Sequence, residues 1–194
     1  MNRVLRKIIS VALAVSWVLG SPPGWAAIDT VSVVVVIASG ELSVTVTPSD
    51  VNFGTVQRTA SLHRFAQGPI AVTYSTTQAS HIFVYTDNAE NRTGLIGTNG
   101  AQMPFRAWTE NFGAGVGGAT PPNPQDNANW VGDTSAVWST IPEVNEAGKL
   151  NLTEDSPVGI DTPTGRVDVY IAIDSLNVAE QEYRGTLIFE ILNQ

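Results

Sequence analysis

Residues 28–38 read I-D-T-V-S-V-V-V-V-I-A, an unusually apolar pattern for a strand. Side chains of a strand point alternately to its two faces. From Val31 onward one face is aliphatic, with Val31, Val33, Val35 and Ile37 pointing the same way. The opposite face mixes hydroxyl side chains with Val34 and Val36, so it is half apolar. The pattern predicts a strand that is covered on both sides, because both of its faces carry apolar side chains.

The residues before this strand predict an export signal. Three basic residues open the chain: Arg3, Arg6 and Lys7. An apolar run of twelve residues follows at 8–19, and then Gly24 and Ala26 form a small-residue cleavage site. A membrane anchor is the alternative, but a spanning helix needs about 20 apolar residues. We therefore expect cleavage after Ala26 and a mature chain in the periplasm, on the cell surface or in the medium.

Composition limits the partners of the predicted mature chain. From Ala27 onward it has 168 residues, and because the signal holds three basic and no acidic residues, its net charge is −11 against −8 for the whole chain. Such a charge argues against nucleic acid and anionic lipid as partners. The chain has no Cys, so packing and hydrogen bonds must supply its stability. We expect a signal at 1–26, the N-terminal strand at 27–40 and one domain at 41–194.

Further strands are predicted along the rest of the chain by alternating side chains and turn residues. They lie at 41–47, 51–56, 70–76, 80–86, 103–109, 148–153, 167–174 and 183–192. The segment at 175–182 has the place of a hairpin connection, and 111–129 is a long loop rich in Gly, Pro and Asn. No helix of ten or more residues is predicted. The pattern favours an all-β, antiparallel immunoglobulin-like sandwich, with a jelly roll as the alternative.

Motifs of enzymes are missing from the sequence. It has no G-x-S-x-G elbow, no H-E-x-x-H, no P-loop and no dinucleotide-binding glycine pattern. His63 and His81 stand alone without metal-ligand spacing, and the carboxylates form no calcium-loop pattern. We expect no catalytic residues, no metal and no cofactor.

Three tryptophans flank the long loop: Trp108, Trp130 and Trp138. Exposed indoles could stack on sugar rings or on another subunit, which would make the chain a secreted carbohydrate-binding module. Burial at one end of the sandwich is the other interpretation, and it is the more common fate of large aromatic side chains.

The N-terminal strand has two interpretations. It could form a hairpin or a bulged edge strand with residues 41–47, so that the domain covers its own strand. It could also be an arm that adds a strand to the next copy, with main-chain hydrogen bonds and alternating side chains giving affinity. The strand is terminal, apolar and followed by Ser39 and Gly40, which favours the arm. Head-to-tail exchange of this kind would make a filament.

The chain resembles the secreted immunoglobulin-like subunits of bacterial surface filaments and pili. The signal segment, the N-terminal strand, V-N-F-G-T-V at 51–56 and G-T-L-I-F-E-I-L at 185–192 carry the resemblance. It implies a structural or adhesive role, self-association and non-covalent strand exchange. The chain lacks the cysteine pair usual in chaperone–usher pilins, which leaves a chaperone-independent filament or matrix protein open.

Overall fold

The computed structural model describes eight stretches of the chain. They are 28–37, 42–87, 94–109, 120–130, 138–142, 149–154, 156–159 and 163–193. In the first stretch it describes the backbone and, of the side chains, only that of Val31. The predicted signal segment and residues 111–119 of the predicted loop lie outside the described residues.

These stretches contain twelve strands and one short helix. In chain order they are β1 (Ile28–Ile37), β2 (Ser43–Thr47), β3 (Asp50–Thr55), β4 (Arg64–Ser75), β5 (Ser80–Thr86), β6 (Leu95–Gly97), β7 (Gln102–Met103), β8 (Phe105–Thr109), α1 (Asn127–Trp130), β9 (Ser139–Thr140), β10 (Leu150–Asn151), β11 (Thr164–Asp174) and β12 (Tyr183–Asn193).

The strands form two sheets. Sheet A has the order β10-β5-β12-β1-β3, and β6 joins it beside β12 with β7 next to β6. Sheet B has the order β2-β4-β11-β8-β9. The predicted all-β sandwich is confirmed.

Strand β1 lies inside sheet A. It runs parallel to β12 over nine paired residues, from Asp29 beside Tyr183 to Ile37 beside Ile191. On its other edge it pairs antiparallel with β3. It is the one parallel pairing among the described strands. The hairpin of β1 with residues 41–47 is wrong, because β2 pairs with β4 in sheet B.

The predicted hairpin at 175–182 is also wrong. β11 pairs with β4 and β8 in sheet B, whereas β12 pairs with β5, β6 and β1 in sheet A. The connection therefore crosses between the sheets. Alternation predicted each strand here, but it could not predict which sheet each strand would join.

The core fills the space between the sheets. Sheet A contributes Val31, Leu187, Phe189 and Ile191, all fully buried. Sheet B contributes Val72, Val169 and Ile171, which are equally buried. The inward residues of β11 and β12 follow the period of two that the sequence predicts. Removal of this apolar surface from water supplies the main drive to fold.

Candidate functional site

The first candidate site is the groove that β1 occupies in sheet A. Its two walls are β12 and β3. Both pair with β1, and among the described strands no other strand pairs with both of them. Buried side chains line the walls: Val51, Phe53, Leu187, Phe189 and Ile191. Without β1 these apolar side chains would meet water, which is costly, and two rows of backbone groups would lose their strand partner.

The groove has a distinct shape at its β3 wall. Five residues of β1 pair with β3, and the register shifts between Asp29 and Thr30. On β3 the shift passes over Phe53 and is followed by Gly54 at φ 66°, which is the left-handed region that favours glycine. The Gly54 amide donates a 2.7 Å hydrogen bond to Oδ1 of Asn52, which fixes the bend. This bulge sets the register of β1 in the groove.

The predicted donor-strand residues are placed by this pairing. Val31 is fully buried between Gly185 and Val51. The backbones of Val33, Val35 and Ile37 pair with those of β12 at three buried positions, which are Leu187, Phe189 and Ile191. The side chains of Val33, Val35 and Ile37 lie outside the described residues.

The two ends of the sandwich can be told apart by the strand termini that lie there. At the end where β1 begins, which we call the entry end, Ile28 lies beside Thr55, the last residue of β3. At the end where β1 finishes, which we call the exit end, Ile37 lies beside Ile191. The exit end also holds the first residues of β2: Ser43 pairs with Ser75, and the neighbouring Thr76 is hydrogen-bonded to Ser80, which pairs with Asn193 at this end of β12. By these definitions β1 runs from the entry end to the exit end.

The second candidate site is the trio of tryptophans, and all three are buried. Trp108 and Trp138 are 1% and 0% exposed, and Trp130 is 6% exposed. No indole face is therefore presented for a sugar ring, and the interpretation of Trp108, Trp130 and Trp138 as an exposed ligand or interface surface does not fit this structure. The interpretation as core fits it.

These tryptophans hold the described segments 120–130 and 138–142 against the outer face of sheet B. Trp108 pairs with Tyr170 in the sheet, and their rings lie 5.8 Å apart. Nε1 of Trp138 donates a 3.0 Å hydrogen bond to the carbonyl oxygen of Pro122. Nε1 of Trp108, in contrast, is buried and has no hydrogen-bond partner in the structure as described.

Trp130 lies between two guanidinium groups. The ring centroid is 4.7 Å from Cζ of Arg64 and 5.2 Å from Cζ of Arg106. Arg106 also donates a 2.7 Å hydrogen bond to the carbonyl oxygen of Trp138. Cations over an indole face are attracted by the negative charge of the π system. The segment 120–130 is thereby held on sheet B.

A buried ionic cluster completes this attachment, and sequence reasoning missed it. Asp174 accepts from Arg64 Nε at 2.9 Å, and its other oxygen lies 2.9 Å from Nδ1 of His63. Arg64 also donates to the carbonyl oxygen of Pro124 at 3.0 Å, and Gln125 donates to the carbonyl oxygen of Arg64. More than a hundred residues separate Asp174 from its two partners, so no local pattern could have revealed the cluster.

The cluster favours the ionised form of Asp174. Burial by itself raises the pKa of this carboxyl group. The hydrogen bonds from the Leu176 amide, Arg64 and His63 outweigh burial, so its pKa lies below the ordinary value. Arg64 uses Nε for Asp174 and Nη1 for the carbonyl oxygen of Pro124, so the cluster ties the ends of β4 and β11 to the segment 120–130 and acts as a brace.

The described residues also bear on metal binding and on membrane spans. They contain no group of three or more His, Cys, Asp or Glu that could hold a metal ion. No helix among them is long and apolar enough to cross a membrane. No protein-family model matches the chain, and no curated protein is significantly similar to it.

Proposed function

We propose that this chain is an exported structural or adhesive surface protein of immunoglobulin-like type that joins copies of itself by exchanging β1. The observation that carries the proposal is the position of β1. It comes from the N-terminal end of the described chain, yet it occupies an interior position of sheet A between β12 and β3. With export cleavage after Ala26, β1 is a terminal strand, and a terminal strand can be replaced by the same strand of another copy without rethreading the chain.

Three features support exchange between copies. The groove is apolar, so an incoming arm gains from burial of its aliphatic face, at about 1.5 kcal/mol or more for each fully buried Val or Ile. Main-chain hydrogen bonds on both edges would add to this. The four residues at 38–41 are the whole connection between β1 and the rest of the domain as described, so only a short segment has to change its course.

The other parts of the proposal rest on the sequence and on the fold. The signal pattern supports export, and the mature charge of −11 supports a soluble surface protein that avoids nucleic acid. Two packed sheets whose consecutive strands switch from one sheet to the other support the immunoglobulin-like type. The buried tryptophans leave the alternative of a carbohydrate-binding module without a stacking surface.

The test deletes the arm from the chain and then supplies it as a separate peptide. A chain that begins at Leu42 is compared with the chain that begins at Ala27, with and without a synthetic peptide of residues 28–37. We expect the truncated chain to be unstable or aggregated, and the peptide to restore a cooperative unfolding transition. A peptide with Val31→Asp and Val33→Asp is the control and should not restore it. A truncated chain that is monomeric and as stable as the longer chain would overturn the proposal.

A further inference from the structure

We infer that exchange of β1 closes two copies of the chain into a two-fold pair joined at their exit ends. This rests on the strand exchange proposed above and adds the direction of the exchanged arm. The direction decides the form of the assembly, because the two possible directions of the arm in a neighbour's groove connect different ends of the two molecules.

The groove fits β1 in one direction. All nine pairs with β12 follow one another without a shift. On the other wall, the bulge at Phe53 and Gly54 meets the register shift between Asp29 and Thr30. A reversed arm would face the bulge with its other end and would pair parallel with β3. Exchange that keeps the existing direction keeps all of these matches.

The connection after β1 is short compared with the strand. Five peptide steps lead from Ile37 to Leu42, which can span at most roughly 18 Å. The ten residues of β1 extend over about 33 Å. The first residues of the donor's β2 must therefore lie close to the end of the groove that receives Ile37, and they cannot reach its other end.

In the existing direction, that end is the acceptor's exit end. The donor's β2 also begins at the donor's own exit end, where Ser43 pairs with Ser75. The exit ends of donor and acceptor are thus brought together, and the arm of the acceptor leaves its own domain at that place. The donor's empty groove is the nearest one, so both arms exchange and the contact closes as a symmetric pair.

The reversed direction would have the opposite result. Ile37 would then sit at the acceptor's entry end, beside Tyr183, and the exit end of each copy would meet the entry end of the next. Such a head-to-tail contact leaves a free groove and a free arm and makes a filament. The two directions are therefore distinguished by the form of the assembly and by the residues of β12 that the arm lies beside.

The exit end can face its own copy. Its described residues at 75–80, 156–159 and 191–193 carry no charged side chain, and the acidic residues nearest to it in the sequence are Glu41, Glu154, Asp155 and Asp161. The long-range repulsion between two chains of −11 charge opposes the contact, and salt screens it. Because of this screening, we expect the fraction of paired chains to rise several-fold between about 0.02 and 0.3 M NaCl.

The test uses the absence of cysteine from the chain to trap the arm by disulfides. Thr30 pairs with Arg184 in the existing direction. An arm reversed over the same span would place Thr30 beside Glu190. Neighbouring strands lie about 4.8 Å apart, within the range that a disulfide bridges. A T30C chain is unfolded and refolded together with an R184C chain, and separately with an E190C chain, and each mixture is oxidised.

The inference expects a disulfide-linked band of two chains in the T30C and R184C mixture, several-fold stronger than in the T30C and E190C mixture. Light scattering on the refolded protein should give the mass of two chains. The E190C chain loses the ion pair of Glu190 with Lys149, so its unfolding curve is recorded to show that it folds.

Two results would overturn the inference, and they differ in what they say of the proposed function. Linkage of T30C to E190C together with large assemblies would show exchange with a reversed arm, which keeps the proposed function and removes the closed pair. A chain that carries both T30C and R184C is oxidised alongside as a further sample. Monomers in both mixtures, with a disulfide formed only within this double variant, would remove strand exchange and the closed pair together.

Discussion

Val31 of the first strand lies beside Gly185 of the last strand, and the two strands run in the same direction. Parallel neighbours require a long connection, and here almost the entire domain forms it. Sheet A is therefore complete only when the first and the last described strands have met. Contacts this distant in sequence form slowly, so we expect β1 to be added late in folding.

The first prediction concerns the burial of Val31. Val31→Ala removes two methyl groups from a fully buried position and should lower the free energy of unfolding by about 1–3 kcal/mol. Val31→Asp places a charge between β12 and β3 and should release the strand. Urea unfolding gives both values. Thr45→Ala, at an exposed position of β2, is the control and should change stability by less than about 0.5 kcal/mol. An equal loss in both alanine variants would show that Val31 is not buried.

The second prediction concerns the buried ion pair of Arg64 and Asp174. Their side chains are 9% and 13% exposed, so Asp174→Asn leaves a mostly buried guanidinium without its counter-charge. We expect a loss of about 2–4 kcal/mol in the free energy of unfolding. Fluorescence-detected urea unfolding would measure it.

A surface ion pair on β11 provides the matched control. Arg166 and Asp168 are 54% and 25% exposed. Asp168→Asn should change stability by no more than about 1 kcal/mol, because exposed pairs contribute little. If the two substitutions cost the same, the Asp174 cluster does not brace the fold.

The third prediction is the pH dependence of that brace. The pKa of Asp174 is lowered on folding, so its contribution is present above the unfolded value of about 3.9 and is lost as the pH falls through the lower folded value. The difference in stability between the natural chain and Asp174→Asn should shrink as the pH falls below about 4. A difference that grew below about pH 4 would contradict the lowered pKa.

Much of the strand pattern is predictable from the sequence. The predicted strand 80–86 coincides with β5, and those at 167–174 and 183–192 fall within β11 and β12. The start of β4 was missed, because Gly68 and Pro69 interrupt its alternation in a bulge opposite Tyr170. Pairing partners were not predictable, since alternation shows which face of a strand is buried and does not show which neighbour it has.

The candidate sites also divide into features that one stretch of sequence reveals and features that depend on distant pairing. The aliphatic face of β1 is visible in the sequence because its residues are consecutive in one strand. The brace of His63, Arg64 and Asp174 is not visible, because it joins the ends of two strands through side chains that are unremarkable in isolation. The three tryptophans could be found by inspection, but whether they were buried depended on the segment 120–130, whose docking is carried by that same brace.

The last prediction compares two buried indoles that differ in one hydrogen bond. Trp138→Phe removes the donor that satisfies the carbonyl oxygen of Pro122, whereas Trp108→Phe removes a donor that has no partner among the described residues. Both substitutions lose a similar volume in a closely packed place, so the packing cost is nearly the same for both. The difference is the hydrogen bond, and Trp138→Phe should be the more destabilising by about 1 kcal/mol, the net contribution of one part-buried hydrogen bond. Chemical unfolding of the two variants under one set of conditions measures it. Equal losses would mean that Trp108 Nε1 has a hydrogen-bond partner in solution.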